Sequence, residues 1–250
     1  MDIYSFGPIA FVIDLAYSGV TALASLLTPA TATFATVLAI VMITLAVRTV
    51  LIPVGRSQVR AEFTRRRLAP KLRDLQKRFK KNPELLQRKT MELYTTEKAS
   101  PLAGCLPTLI QAPIVSVVYA LFILATINGH PNGLLTETLF QIPLGTSLFA
   151  FLGAGQAWPG IAVYLVLLTI IGVVAALQRR LAAANATPLA DELTPAMAQM
   201  TSIVSWLPFL TVVFAAIVPL AATVYLTITT TWTLVERTLL RRSFAAREVV

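Results

Sequence analysis

Arg48 is the residue whose type and position most directly suggest chemistry. It is the one charge in the apolar run Phe34 to Pro53 (FATVLAIVMITLAVRTVLIP), 14 residues after the start and five before the end. At helical rise this places it roughly 7–8 Å from one end of a segment long enough to cross a bilayer. An ionisable side chain there is costly and usually faces a protein interior or a water-filled cavity. The alternative is that its long stem lets the guanidinium snorkel to the nearer interface, and position alone does not choose between the two. No acid inside the other apolar segments offers a partner: Glu236 stands at the edge of the last one, and Asp14 belongs to the opposite side. An unpaired cation in a low dielectric demands water, so a hydrated cavity is predicted around Arg48. Thr44, Thr49, Gln111, Ser116, Gln178, Thr227, Thr229, Thr230 and Thr231 are available to line it. Helical spacing puts Thr227, Thr230 and Thr231 near one face, although threonines also bond back to their own helix.

Bond-making chemistry has no such foothold. The chain has one cysteine, Cys105, and one histidine, His130, too few for a disulfide framework or a zinc site. There is no HExxH, no GxSxG and no aspartate pair within the apolar segments, so no catalytic residue, metal or cofactor is expected and the chain is not read as an enzyme.

The elements that must hold Arg48 are membrane helices. Of 250 residues 56% are hydrophobic and only 13% charged, about half the charge of an average soluble protein. The expected fold is an all-α integral membrane protein with five transmembrane helices, a helical hairpin between spans one and two, and an N-terminal helix in the outer interface. The expected spans are 34–54, 102–127, 158–178, 197–217 and 218–235, the last two separated by a tight turn at Val218-Pro219. Trp158 and Tyr164 are read as interfacial anchors of the third span. Residues 1–33 hold the N-terminal helix. Asp14 and the Gly7-Pro8 break favour an interfacial position for Ile9 to Leu27 over a sixth crossing. No secretory signal is expected, because no Lys or Arg precedes Arg48.

Charge fixes the orientation. Of the 21 Lys and Arg, fourteen lie in 55–101, two in 179–196 and four in the tail 236–250; the remaining one is Arg48, and 1–33 and 128–157 carry none. Basic segments stay cytoplasmic, so the N-terminus is expected outside and the C-terminus inside the cytoplasmic membrane. Within 55–101, Leu68, Leu72, Leu75 and Phe79 recur at 4, 3, 4 spacing, and Asn82-Pro83-Glu84 opens a second helix with Leu86, Leu93 and Met91 as candidates to face back. The result is a basic antiparallel hairpin presenting Arg65, Arg66, Arg67, Lys71, Lys77, Arg78, Lys80 and Lys81. Anionic lipid headgroups and ribosomal RNA phosphates are its candidate contacts, against a plain solvated face. No aromatic residues are interleaved for base reading, and DNA is not an expected partner.

The run VRTVLIPVGRSQ at 47–58, the basic hairpin and SPLAGCLPTLIQAPIVSVVYALF at 100–122 resemble the YidC-type insertases of the Oxa/Alb superfamily. Gly104, Cys105, Leu106, Pro107, Gln111, Pro113 and Tyr119 carry the resemblance, and IPLG at 142–145, LQRRL at 177–181 and Pro219, Tyr225 and Trp232 continue it. The short tail is similar to the Gram-positive or actinobacterial form. The resemblance implies a membrane protein insertase and chaperone whose hydrophilic groove is open to cytoplasm and lipid and closed outward. Arg48 would receive polar parts of a client, Gln111 and Gln178 would lie at the groove or its rim, and Trp232 near it. Nascent membrane-protein clients would be the partners, with the ribosome and the Sec translocon as further candidates. This chain departs from the pattern at Leu226 and Thr229-Thr230, where an aromatic and a Ser-Asn pair are usual, which implies a less polar groove or a specialised paralogue. An anion or solute transporter and an assembly factor for membrane complexes are the rival readings.

Overall fold

The computed structural model describes residues 4, 7–97, 99, 116–118, 120–127, 129–155, 158–184 and 203–248. Helix α1 (Gly7–Thr31) leads through a 3-10 turn at Ala32–Phe34 into α2 (Ala35–Val50). Ala32 adopts φ +46, the left-handed conformation that lets the chain reverse. As a result α1 doubles back beside α2: twelve residues from the turn, a Cβ on Gly19 would still sit 3.8 Å from Ile43. Ile13, Val20 and Ala24 of α1 and Ala39 and Ile40 of α2 are buried in one cluster. The small side chains of Ala24 and Ala39, with Gly19, let two apolar helices approach closely. The helix expected in the outer interface packs along α2, and Phe11, Leu15 and Leu26 leave its other side apolar and exposed. Gly7–Val50 and Trp158–Ala184 are long and apolar enough to cross a membrane, with mean hydropathies of 2.2 and 2.7.

The first expected span closes earlier than Val54. α2 stops at Val50, and α3 (Ile52–Phe79) starts after Leu51 with Pro53 in its first turn, where the missing N–H removes no helical bond. α3 is continuous through Pro70 and forms the first arm of the hairpin. Asn82 caps the second arm, α4 (Pro83–Thr96), by accepting from Leu85 N at 3.1 Å. Lys71, Asp74, Leu75 and Arg78 of α3 border the same cleft as Lys89, Glu92, Leu93 and Thr96 of α4, the pairing expected of antiparallel arms. Leu68 is fully buried and Leu72, Leu75 and Phe79 half-buried, but Met91 is exposed. Met91 does not face back; Leu86 and Leu93 form the α4 side of the seam.

Residues 116–118 and 120–123 are helical (α5), and the expected second span ends there rather than at Ile127. Thr126–Ile127 (β1) instead pairs antiparallel with His130–Pro131 (β2). The cause is Asn132, which is buried: its amide donates to Leu121 O (2.8 Å) and Leu124 O (2.9 Å), satisfying carbonyls at the helix end, and its Oδ1 accepts from Leu134 N. A second two-stranded ladder, Thr138–Leu139 (β3) with Ile142–Pro143 (β4), turns through Phe140 and Gln141, both at positive φ. A short helix, α6 (Leu148–Gly153), is capped by Ser147. The segment expected as a plain loop is thus a folded cap.

α7 (Trp158–Ala184), α8 (Leu207–Ile217) and α9 (Leu220–Glu248) complete the described helices. α7 extends past Gln178 through Arg179 and Arg180, and Arg179 stacks on the Trp206 ring at 3.9 Å. α9 continues past Val235 through most of the expected tail. The cap is sewn to the start of α9, since Leu220 N donates to Thr146 O and Ala221 N to Leu144 O. Tyr164 belongs to this seam and is not an exposed anchor: it is fully buried and its hydroxyl donates to Thr146 O at 2.7 Å. Trp158 is exposed.

Two consequences are measurable. The Phe151 ring lies on the bare backbone of Gly160, where a Cβ would approach Cζ to 2.2 Å. Gly160→Ala should destabilise the detergent-solubilised protein by about 1–3 kcal/mol in thermal unfolding. Adding Phe151→Leu should recover part of that loss, giving a non-additive pair. In the hairpin, Glu97 is ion-paired with Lys71 and, at 3.4 Å, with Arg67. The Lys71 hydrogen bond foremost holds the Glu97 carboxyl below the usual carboxylate range. Because that pKa is depressed, the clamp is present above the ordinary carboxylate pKa of about 4.3 and lost as pH falls through the lower folded value. Amide exchange in α4 should accelerate across that acid window in wild type, and Glu97→Gln should exchange fast throughout it.

Candidate functional site

Arg48 occupies the last turn of α2 and borders a cavity of about 280 Å³. α1 contributes Val12, Ala16 and Val20; α2 contributes Ile40, Ile43, Thr44 and Val47; α5 adds Val117, Val118, Leu121 and Phe122; Leu51 and Tyr225 of α9 complete the described lining. Its character is apolar. Thr44 is buried and donates its hydroxyl to Ile40 O at 2.7 Å, so it offers the cavity little unspent polarity. Arg48 is accordingly the one cation at the edge of a described lining that is otherwise largely apolar, where charge is screened least.

The other predicted groove residues are distributed around this space rather than in it. Gln111 lies outside the described residues. Gln178 is on α7 and donates to Thr230 O on α9 at 3.3 Å, which ties two helices together. Thr227, Thr230 and Thr231 bond back to Thr223 O, Leu226 O and Thr227 O of their own helix at 2.7–2.8 Å. They are polar in sequence and self-satisfied in structure. The hydroxyl of Thr229 is buried with no hydrogen-bond partner among the described residues. Trp232 does not line the cavity; its indole N–H donates to Glu236 Oε2 at 2.9 Å.

That bond leads to the residue the sequence left at the margin. Burial pushes the Glu236 carboxyl above the usual range, against the opposing effects of the Trp232 hydrogen bond and the Arg48 and Arg237 charges. Its Oε1 is buried and unpartnered among the described residues, pressed against Gly55 of α3, where a Cβ would lie 2.0 Å away. The i, i+4 spacing of Trp232 and Glu236 was the available signal; the proximity of Gly55 to Glu236 was not, because it depends on the α2–α3 bend. Below this point α3 docks on α9 through Glu62 and Arg241 (2.9 Å) and the Phe63 and Phe244 rings (6.0 Å).

In the hairpin, Arg66 is half-buried and paired with Glu62, while Arg67 and Lys71 are committed to Glu97. Arg65, Lys77, Arg78, Lys80 and Lys81 are exposed. The basic face is therefore concentrated near the tip, beyond the residues that close the hairpin.

Residues 28–247 match the family model described as 60Kd inner membrane protein. The chain is 40% identical over 86 residues to the membrane protein insertase YidC of Clostridium perfringens, covering 34% of this chain and 36% of that protein. It is 31% identical over 186 residues to the membrane protein insertase YidC of Zymomonas mobilis, covering 74% of this chain and 30% of that protein. Inner membrane protein PPF-1 of the Pisum sativum chloroplast is 38% identical over 124 residues, which is 48% of this chain and 27% of the relative. The chain thus spans between 27% and 36% of the length of these three relatives. A match running through the Arg48 helix, the hairpin, the cap and α9 places this chain in the 60Kd inner membrane protein family, the family of YidC, Oxa1 and Alb3.

Proposed function

We propose that the protein is a membrane protein insertase that uses Arg48 to draw a short polar or acidic segment of a client into the bilayer while the client's apolar span passes to lipid. The observation that carries this reading is the placement of Arg48 at the edge of an otherwise apolar cavity shared by α1, α2, α5 and α9. A carboxylate left alone at the bilayer centre costs at least about 2.5–3.5 kcal/mol on insertion scales. A fixed cation part of the way across lowers that barrier, and no bond is made or broken. Exposed apolar residues of α7 and α8, among them Val166, Val173, Leu210 and Phe214, suit the lipid side along which an apolar span could leave.

The same reading sets the disposition of the chain: five crossings, the N-terminus outside, and the hairpin and C-terminus in the cytoplasm, as the complete segregation of Lys and Arg supports. The ordered 126–155 cap is the outer closure. The exposed cluster at the hairpin tip would engage anionic lipid, each basic residue near the surface contributing about 1 kcal/mol, and the ribosome and translocon are further partners. An anion transporter is the less favoured reading, because a small soluble anion would need a polar path beyond Arg48 and the described lining there is hydrocarbon.

Complementation of insertase-depleted cells tests the mechanism, scored on a single-span client with an acidic tail and with expression levels matched. Arg48→Lys should retain insertion. Arg48→Ala and Arg48→Glu should lose about tenfold, the factor that roughly 1.4 kcal/mol of charge attraction gives. Equal insertion by all four proteins would make Arg48 a snorkelling anchor and overturn the charge mechanism.

A further inference from the structure

We propose that Arg179, Arg180 and Trp206 form a binding site for the phosphate of one anionic phospholipid, whose acyl chains lie along the exposed apolar faces of α7 and α8. The site shares no lining residue with the Arg48 cavity and does not depend on what Arg48 does.

The outward face of α7 has helical regularity. Val166, Ile170, Val173 and Leu177 stand at 4, 3, 4 spacing and are 39–58% exposed, and Arg180, also exposed, follows at the next step of three. Residues at such spacing share one face, so a row of aliphatic side chains ends on a cation. α8 packs beside α7 and repeats the pattern. Leu207, Leu210 and Phe214 are exposed at 3 and 4 spacing, and Trp206 stands directly before them. The two rows are joined where Arg179 lays its guanidinium on the Trp206 ring, 3.9 Å from the centroid. Gln178, one residue earlier, is bonded to Thr230 O of α9, which fixes the position of this end of α7.

A guanidinium stacked through its face keeps its N–H donors directed outward from its edge. Among the described residues no carboxylate pairs with Arg179 or Arg180, so those donors are unspent. Two adjacent cations at the end of two hydrocarbon rows match a phosphate carried on two acyl chains. Guanidinium N–H groups suit the phosphate oxygens in forked pairs, the aliphatic rows suit the chains, and an indole suits the level where the two meet. A soluble anion would match the arginines and leave the aliphatic rows uncovered. A zwitterionic lipid would match the rows and bring a cation of its own to the arginines. An anionic phospholipid satisfies both.

The test reads the fluorescence of Trp206 alone, in the full-length protein carrying Trp158→Phe and Trp232→Phe, reconstituted in phosphatidylcholine nanodiscs. The discs are doped with equal fractions of chain-brominated phosphatidylglycerol or chain-brominated phosphatidylcholine, and quenching gives the ratio of their association constants at Trp206. Phosphatidylglycerol should associate about tenfold more strongly, the preference that two basic residues at a headgroup give. Arg179→Gln with Arg180→Gln should bring the ratio to unity, and Arg179→Lys with Arg180→Lys should keep most of it. Should the glutamine pair fail to fold in thermal unfolding, the exposed Arg180→Gln alone should lower the ratio by about threefold. Arg60→Gln with Arg242→Gln removes the same charge elsewhere and should leave the ratio unchanged. A ratio of unity in the parent protein overturns the site, as does a ratio that survives loss of the arginines or falls equally in the Arg60 and Arg242 variant. Inorganic phosphate at constant ionic strength should not relieve the quenching; relief would assign the arginines to a soluble anion and overturn the lipid reading.

Discussion

The bend just after Arg48, at the edge of an apolar described lining, is the constraint on which the rest of the described chain depends. The helix that carries Arg48 ends two residues later, at Val50, and the chain bends into α3. The bend brings Gly55 under α9, and Gly55 admits the Glu236 carboxylate that Trp232 anchors. From there α3 follows α9 outward, fastened by Glu62 to Arg241 and by Phe63 against Phe244. The first arm of the hairpin therefore follows the Arg48 helix directly and is packed on the helix that bears Glu236.

The opposite end is governed by backbone satisfaction. Where α5 stops, its last carbonyls are claimed by the buried Asn132 amide, and where α9 begins, its first N–H groups are claimed by Leu144 and Thr146 of the cap. Helix ends facing an apolar layer leave groups that must be paired. The cap pairs them from a single segment, and Tyr164 of α7 is drawn in by the same Thr146 carbonyl. One end of the bundle is thereby cross-linked through main-chain bonds while the other end turns on a few side chains around Arg48.

How much of this was legible in the sequence follows from which forces act locally. Apolar runs, the Asn82 cap and the leucine seam of the hairpin depend on residues within a few turns of each other, and among the described residues helices run through 35–50, 52–79, 83–96 and 158–184, where those signals stand. Orientation of side chains across helices does not. The threonines of α9 share a face as spacing requires, yet their hydroxyls are spent on their own carbonyls, so composition suggested a polar groove where the described lining is hydrocarbon. The fold-back of α1 hinged on one left-handed residue, Ala32, that has no sequence signature because alanine is poorly suited to it. Tyr164 was taken for an interfacial anchor because a tyrosine near a span end usually is one; its partner carbonyl comes from 18 residues earlier and was invisible to periodicity.

These departures bear on the resemblance as well as on the fold. The resemblance implies a hydrophilic groove, yet the described lining around Arg48 is hydrocarbon apart from Thr44, whose hydroxyl is spent on Ile40 O. The drier such a lining, the stronger each charge beside it acts.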